Sequence, residues 1–271
     1  MTTAQLTTTP VPRSFETGNT VAKAFVSDVA FGLRSAMRTP FPLVTGIFIP
    51  LFFNLMFSWL QGDEMIDGVP GVTRTSATIM VFVIATAGYF NMVMGVTQAR
   101  EKGLLKRVRQ MPANRTMHLL GRIAVSMIMA GASILLMVAV SMIGFGLEIR
   151  AMAVPGLLLA FVLASIASAS LGIALTRVIP TLEGALVIGT ATLFPILFVS
   201  GVFFPLEGMP AAVTAVTDAL PFAPMSTLIQ GLLDPAATGL AIDTRSLIVV
   251  AAWAVIGMFL AVRFLKWEPR K

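Results

Sequence analysis

The residues with most capacity for chemistry are cations gathered in one stretch, residues 98–122, between two long apolar segments. The stretch contains the basic residues Arg100, Lys102, Lys106, Arg107, Arg109, Arg115 and Arg122. A segment this basic does not cross a bilayer, and basic loops of membrane proteins stay on the cytoplasmic side. The stretch therefore predicts a cytoplasmic loop, called here the basic loop, that fixes the orientation of the chain.

A short amphipathic helix is predicted within the basic loop. Leu104, Leu105, Val108 and Met111 recur at the spacing of one helical face, and basic side chains cover the other face. Pro112 ends the helix, because proline clashes with the preceding turn. A short, stiff helix held between two membrane-crossing segments is suited to docking a partner.

Catalytic and metal-binding constellations are missing from the sequence. His118 is the only histidine, there is no cysteine, and no phosphate-binding Gly-x-x-x-x-Gly-Lys-Ser/Thr motif occurs. The centres of the apolar segments contain no Asp, Glu, Lys or Arg, which ion-coupled carriers normally keep at depth. We expect no catalytic residue, no metal and no cofactor bound by this chain, and a structural role for the lone histidine.

The composition excludes a soluble globular domain. Of 271 residues, 56% are hydrophobic and 12% are charged, whereas a soluble domain carries about 25% charged residues. The sequence pI near 10.5 does not indicate nucleic-acid binding, since the basic residues cluster at the ends of apolar runs instead of on one face of a soluble domain.

Six apolar runs predict an all-α membrane protein with six transmembrane helices, called spans below. A span of about 20 residues crosses roughly 30 Å of hydrocarbon. The predicted spans are residues 41–60, 75–97, 123–145, 153–176, 184–204 and 246–265.

The charges support one orientation of these spans. Among the 19 basic residues, only Arg74, Arg150 and Arg245 fall on the side opposite the basic loop, and most of the 13 acidic residues fall there. Positive charge accumulates on the cytoplasmic side. Both termini are therefore predicted to be cytoplasmic.

The remaining segments are shorter. Residues 1–20, rich in Thr and Pro, predict a disordered tail. Residues 21–38 predict an amphipathic helix in the inner interface, with a plain cytosolic helix as the alternative. Residues 205–245 on the outer side are broken by prolines and predict two short helices, 211–220 and 224–233, as a hairpin or re-entrant element covered by protein.

Aromatic residues, methionine and one amide line parts of the second and fifth spans. Such a wall suits a bulky amphipathic cargo, and ordinary core or lipid-facing packing is the alternative. The candidate cargo residues are Phe82, Tyr89, Phe90, Asn91, Met94, Phe194 and Phe198. In the fourth span, Ala164, Ser168 and Gly172 form a face of small residues that favours close helix packing, within the chain or at a dimer seam.

At this point the chain resembles the membrane subunit, or permease, of type-2 ABC exporters, a family that includes antibiotic-resistance and drug-efflux permeases. The likeness extends over residues 21–263 and depends on the order of several features. These are the interfacial helix, the run Ala99-Arg100-Glu101-Lys102-Gly103 with Leu104-Leu105-Lys106-Arg107 after it, the Met111-Pro112 stop, and Ser200-Gly201-Val202-Phe203-Phe204-Pro205 before the outer loop.

The resemblance implies a half-transporter in the cell membrane of a bacterium. It would pair with a second permease, identical or paralogous, and with two copies of a separate ATP-binding subunit that holds ATP and magnesium. The implied coupling residues are Arg100, Glu101, Gly103, Leu104, Leu105, Lys106, Arg107, Val108 and Arg109. Arg100 and Glu101 would link this coupling segment to the interfacial helix, and Phe203 and Phe204 would stand near an outer gate.

A second function class stays open from the residues alone. A membrane scaffold or sensor subunit that transports nothing would show the same spans and the same basic loop. The identity of the cargo is beyond what the residues indicate, and the outward direction of transport depends on the resemblance.

Overall fold

The computed structural model describes residues 17–38, 40–61, 64–66, 68–104, 115–200, 210–239 and 241–264. Several predicted features lie outside these ranges: residues 1–16 of the tail, Leu105 to Arg109 of the basic loop, and Phe203 and Phe204 of the predicted gate. The described ranges are almost entirely helical. Their one sheet is a two-stranded antiparallel ladder of β1 (Met65–Ile66) and β2 (Val69–Pro70).

The α-helices are numbered in chain order. They are α1 (Thr17–Arg38), α2 (Pro40–Gln61), α3 (Gly71–Ala85), α4 (Asn91–Glu101), α5 (Arg115–Phe145), α6 (Val154–Leu175), α7 (Leu182–Val199), α8 (Ala211–Ala219), α9 (Phe222–Leu233) and α10 (Thr244–Phe264). A π-helical turn, Thr86–Phe90, joins α3 to α4, and a 3-10 turn, Ala151–Ala153, leads into α6.

Five helical segments in the described part of the chain are long and apolar enough to cross a membrane. They are Gly71–Glu101, Met117–Phe145, Ala151–Leu175, Leu182–Val199 and Thr244–Arg263, and they contain the second to sixth predicted spans or most of each. The predicted first span falls in α2, within which Gly46–Gln61 is a shorter apolar helix. The chain is thus an all-α, multi-pass membrane protein, and the count of six spans stays a prediction.

Several boundaries differ from the predicted ones. Helix α1 begins at Thr17, inside the predicted disordered tail, because the first turn of a helix accepts small and polar residues such as threonine. Helices α4 and α5 extend into the basic loop from both sides, to Glu101 and from Arg115. The loop between these helices is therefore shorter than residues 98–122, because residues in the two extensions, such as Ala99, Glu101 and Leu119, are good helix formers.

The second span lies at the centre of the fold. Along it, Ile79, Val81, Val83, Ile84 and Val93 are buried. Its π-helical turn packs on the fourth span, where a Cβ on Gly172 would overlap the backbone of Tyr89 and a Cβ on Gly88 would lie 2.7 Å from Ser168 Cβ. The small-residue face of the fourth span is therefore used for packing within the chain.

The outer segment forms two short helices, α8 and α9, close to the two predicted. Helix α9 is largely buried and contacts α3, α6 and α10. Leu232 packs against the backbone of α6 at Gly156. A Cβ added to Gly156 would lie 2.6 Å from Cδ2 of Leu232. Burial of α9 against three longer helices covers the end of the second span that is predicted to face outward.

Candidate functional site

Arg100 is buried near the predicted cytoplasmic end of the second span. Although Arg100 belongs to the basic loop, it is only 2% exposed. Its guanidinium donates hydrogen bonds to the carbonyl oxygen of Thr176 at 2.9 Å, to that of Ile179, and to that of Pro180 at 3.4 Å. Thr176 is the C-cap of α6, where a carbonyl lacks a partner within the helix and a positive charge is favoured. Ile179 and Pro180 follow in the connection to α7.

Glu101, the next residue, contacts the start of the fifth span. Its carboxylate oxygen Oε1 accepts a hydrogen bond from the backbone N–H of Leu182 at 2.7 Å. Leu182 is the first residue of α7, so its N–H has no acceptor within the helix, and a negative charge at this end is favoured. The Thr181 hydroxyl caps the same helix by accepting from Gly184 N–H at 3.1 Å.

Together these contacts define a junction between three spans. We call it the inner junction: Arg100 and Glu101 at the end of α4, and residues 176–182 between α6 and α7. The cation lies at the end of one helix and the anion at the start of the next. Both charges match the dipoles of the helices that they contact.

Helix α4 ends immediately after this pair. Gly103 has a φ of +67° and its N–H donates to the carbonyl of Arg100 at 3.0 Å. A left-handed residue of this kind closes a helix, and glycine adopts the conformation without a Cβ clash. Leu104 is exposed. The rest of the predicted coupling segment, Leu105 to Arg109, lies outside the described residues and its role stays a prediction.

Arg122, which the sequence analysis places in the basic loop, instead lies within α5, where its guanidinium approaches the second span. Its terminal nitrogen would lie 2.8 Å from a Cβ on Gly95. The absence of a side chain at Gly95 leaves room for the cation between α4 and α5.

Helix α1 packs along the same end of α5. Asp28 Oδ2 lies 3.3 Å from His118 Nδ1. The backbone of Gly32 packs against the side chain of Val125. The histidine therefore connects two helices. The described residues contain no group of three or more potential metal ligands, and the expectation that the chain binds no metal stays a prediction.

The family resemblance implies a link from Arg100 and Glu101 to this interfacial helix, and that link stays a prediction. The structure shows hydrogen bonds from both side chains to residues 176–182.

The candidate cargo residues divide by exposure. Tyr89 is buried, and its hydroxyl lies 2.8 Å from the hydroxyl of Thr192 on α7, so it joins the second span to the fifth. Phe90 packs on Gly189. The residues Phe82 and Met94 are half-buried against the core, whereas Asn91, Phe194 and Phe198 are exposed.

Two features of the site were not predicted from the sequence. The 176–182 loop was given no role, although Thr181 ahead of an apolar run is a recognisable helix-capping signal. The π-helical turn at Thr86–Phe90 also went unnoticed, and such turns are frequent at functional sites.

The chain matches a known protein family. No curated protein sequence matches the chain at a significant level. The family described as ABC-2 family transporter protein matches residues 66–263, which include the inner junction and five candidate spans. Since this match covers most of the 271 residues, the chain belongs to the ABC-2 family of transporter proteins, as a membrane-spanning permease.

Proposed function

We propose that this permease moves a hydrophobic or amphipathic compound, such as a drug, an antibiotic or a lipid-like molecule, outward across a bacterial cell membrane. ATP hydrolysis takes place on a separate subunit that binds ATP and magnesium. Two copies of that subunit act on two permeases, which are identical or paralogous. The N- and C-termini of the permease lie in the cytoplasm.

The inner junction is the observation that carries this proposal. A permease without its own ATPase needs a cytoplasmic element that a partner can push and that is attached to the spans. The basic loop contains Arg100 and Glu101, which are hydrogen-bonded to the ends of two other spans. Force applied to the loop therefore reaches α4, α6 and α7 together.

The cargo route follows the second and fifth spans. Asn91, Phe194 and Phe198 present one amide and two aromatic rings at exposed positions. Mixed aromatic and amide surfaces accept bulky amphipathic ligands. A second permease packed against this side would enclose the route, and Phe203 with Phe204 would stand at its outer end.

Affinity purification in mild detergent tests the partner. We expect the full chain to co-purify with an ATP-binding subunit, identified by mass spectrometry, in equal copy number. Co-purification with a histidine kinase or a protease, and with no ATPase, would support the scaffold or sensor class instead.

Neutralising the predicted coupling segment tests its role. The triple variant Lys106→Gln, Arg107→Gln and Arg109→Gln should reduce ATP-driven transport roughly tenfold, because coupling between sites amounts to about 1–3 kcal/mol. The matched control, Arg263→Gln, Lys266→Gln and Arg270→Gln, removes three cations from the same predicted side of the membrane. Equal transport by the two triple variants would refute a specific role for the coupling segment.

A further inference from the structure

We propose that the 176–182 loop is a second transmission element, through which Arg100 and Glu101 carry a displacement of the basic loop to the fifth span. The inference extends the proposed function, since it requires a partner that moves the basic loop. It assigns Arg100 and Glu101 as positioning residues that act on α6 and α7 through hydrogen bonds.

The Arg100 side of the inner junction is rigid. One planar guanidinium contacts the carbonyls of Thr176, Ile179 and Pro180, all within the short connection after α6. Buried carbonyls without donors are costly, so this connection cannot separate from Arg100 without leaving several polar groups unpaired. The loop therefore moves with the end of α4.

On the Glu101 side the carboxylate is exposed, and its contact within the described residues is with the start of α7. Its carboxylate accepts from Leu182 N–H, the first donor of the helix. A charged acceptor makes a stronger hydrogen bond than a neutral one, and at this end it is also favoured by the helix dipole. The contact can form or break during a transport cycle, because water can replace it at an exposed position.

Beyond the inner junction, helix α7 is packed less extensively within the chain than the other candidate spans. In its membrane-crossing window 22% of residues are buried inside the chain, against 28% to 61% for the other four candidate spans. Its buried residues Ala185, Gly189, Leu193 and Leu197 form a single narrow stripe. A helix held along one stripe can tilt or slide as a body when its end is pulled, since few packed contacts resist the motion.

Hydrogen bonds that only stabilise the fold would show the same contacts. An effect on the stability of the permease is therefore measured separately from an effect on the coupling of transport to ATP hydrolysis. Glu101 is the better residue to change, because truncation of the buried Arg100 would leave carbonyls unpaired and could prevent folding. Glu101→Ala removes the acceptor, and Glu101→Gln keeps an uncharged one. Glu183→Ala is the matched control, since it removes an exposed carboxylate from the first turn of the same helix.

The experiment uses the permease purified with its ATP-binding subunit and reconstituted in liposomes. We expect the amount of fluorescent amphipathic dye transported per ATP hydrolysed to fall about tenfold in Glu101→Ala, as for loss of one charge-assisted hydrogen bond. Glu101→Gln should give an intermediate ratio, and Glu183→Ala the wild-type ratio. ATP hydrolysis should change little in all three variants. Thermal stability should fall modestly in Glu101→Ala, as for loss of a helix cap, so transport is compared per ATP hydrolysed on equal amounts of folded protein.

The absence of native cysteine allows a second readout. Spin labels on cysteines at Leu104 and Leu186, both exposed, report the distance between the basic loop and the fifth span. In wild type this distance should remain narrowly distributed with and without a trapped ATP analogue. In Glu101→Ala the distribution should broaden, because the helix no longer follows the loop.

The outcomes are distinct. Suppose that the wild-type complex transports the dye, and that Glu101→Ala shows the same transport per ATP hydrolysed and the same label distances as wild type. That result would overturn the inference and leave the proposed function intact. Failure of the wild-type complex to transport would instead refute the proposed function. In that case the label distances in the permease alone still decide whether Glu101 tethers α7, with an unbroadened distribution in Glu101→Ala overturning the inference.

Discussion

At the scale of single residues, Arg100 shows what sequence reasoning can and cannot reach. Its position in a basic run predicted a cytoplasmic location near a partner. Its burial was not predictable, because the carbonyl acceptors lie 76 to 80 residues away in the sequence and belong to the backbone, which has no side-chain signature. The same holds for Glu101. In the sequence an acidic residue beside a span is expected to be solvated, whereas in the structure its carboxylate accepts a hydrogen bond from Leu182 N–H.

Asp243 offers a prediction at the same scale. Its carboxylate caps α10 by accepting from Ser246 N–H at 3.0 Å. Hydrogen bonding from Ser246 holds the pKa of Asp243 below its usual value. A carboxyl whose pKa is lower in the folded state stabilises the fold above its unfolded pKa, near 4, and this contribution is lost as the pH falls through the folded pKa.

Asp243→Ala should therefore lower the apparent melting temperature at pH 7, since loss of a helix cap costs about 1 kcal/mol. The difference from wild type should shrink as the pH falls below about 4, where the wild-type carboxyl becomes protonated as well. Fluorescence-detected thermal unfolding of the detergent-solubilised protein at several pH values measures both effects. A difference that stayed constant down to pH 2 would contradict the assigned cap.

At the scale of elements, hydrophobic runs located the helices well and their ends less well. Five predicted spans correspond to helices of the structure, since a run of about 20 apolar residues has few alternatives to a membrane helix. The π-helical turn at Thr86–Phe90 was not predicted, because one extra residue in a turn barely disturbs the apolar pattern. It depends on packing against the fourth span, at Gly88 and Gly172.

Close packing at this turn leads to a prediction. A methyl group in Gly172→Ala would overlap the Tyr89 carbonyl oxygen, and overpacking of this kind costs about 1–3 kcal/mol. We expect a lower apparent melting temperature and separation of the second and fourth spans. Gly46→Ala is the control, because in the described part of the chain a Cβ there meets no atom within 4 Å. Equal melting temperatures for the two variants would show that the close approach is absent.

At the scale of the whole molecule, two of the charged residues in the loop that is predicted to set the orientation also connect the predicted cytoplasmic ends of three spans. The charge distribution predicts that the basic loop faces the cytoplasm, and the structure connects that end to three spans through Arg100 and Glu101. Membership of the ABC-2 family agrees with this organisation. The family was recognisable from the order of segments along the sequence, whereas the junction between those segments required their three-dimensional arrangement.

The central claim is that this chain transports only when a separate ATPase drives it. Reconstitution tests it most directly: dye transport and ATP hydrolysis are measured in liposomes that hold the permease alone, the ATP-binding subunit alone, or both. We predict ATP-dependent transport only in liposomes that hold both. ATP hydrolysis or concentrative dye transport by the permease alone would contradict the account.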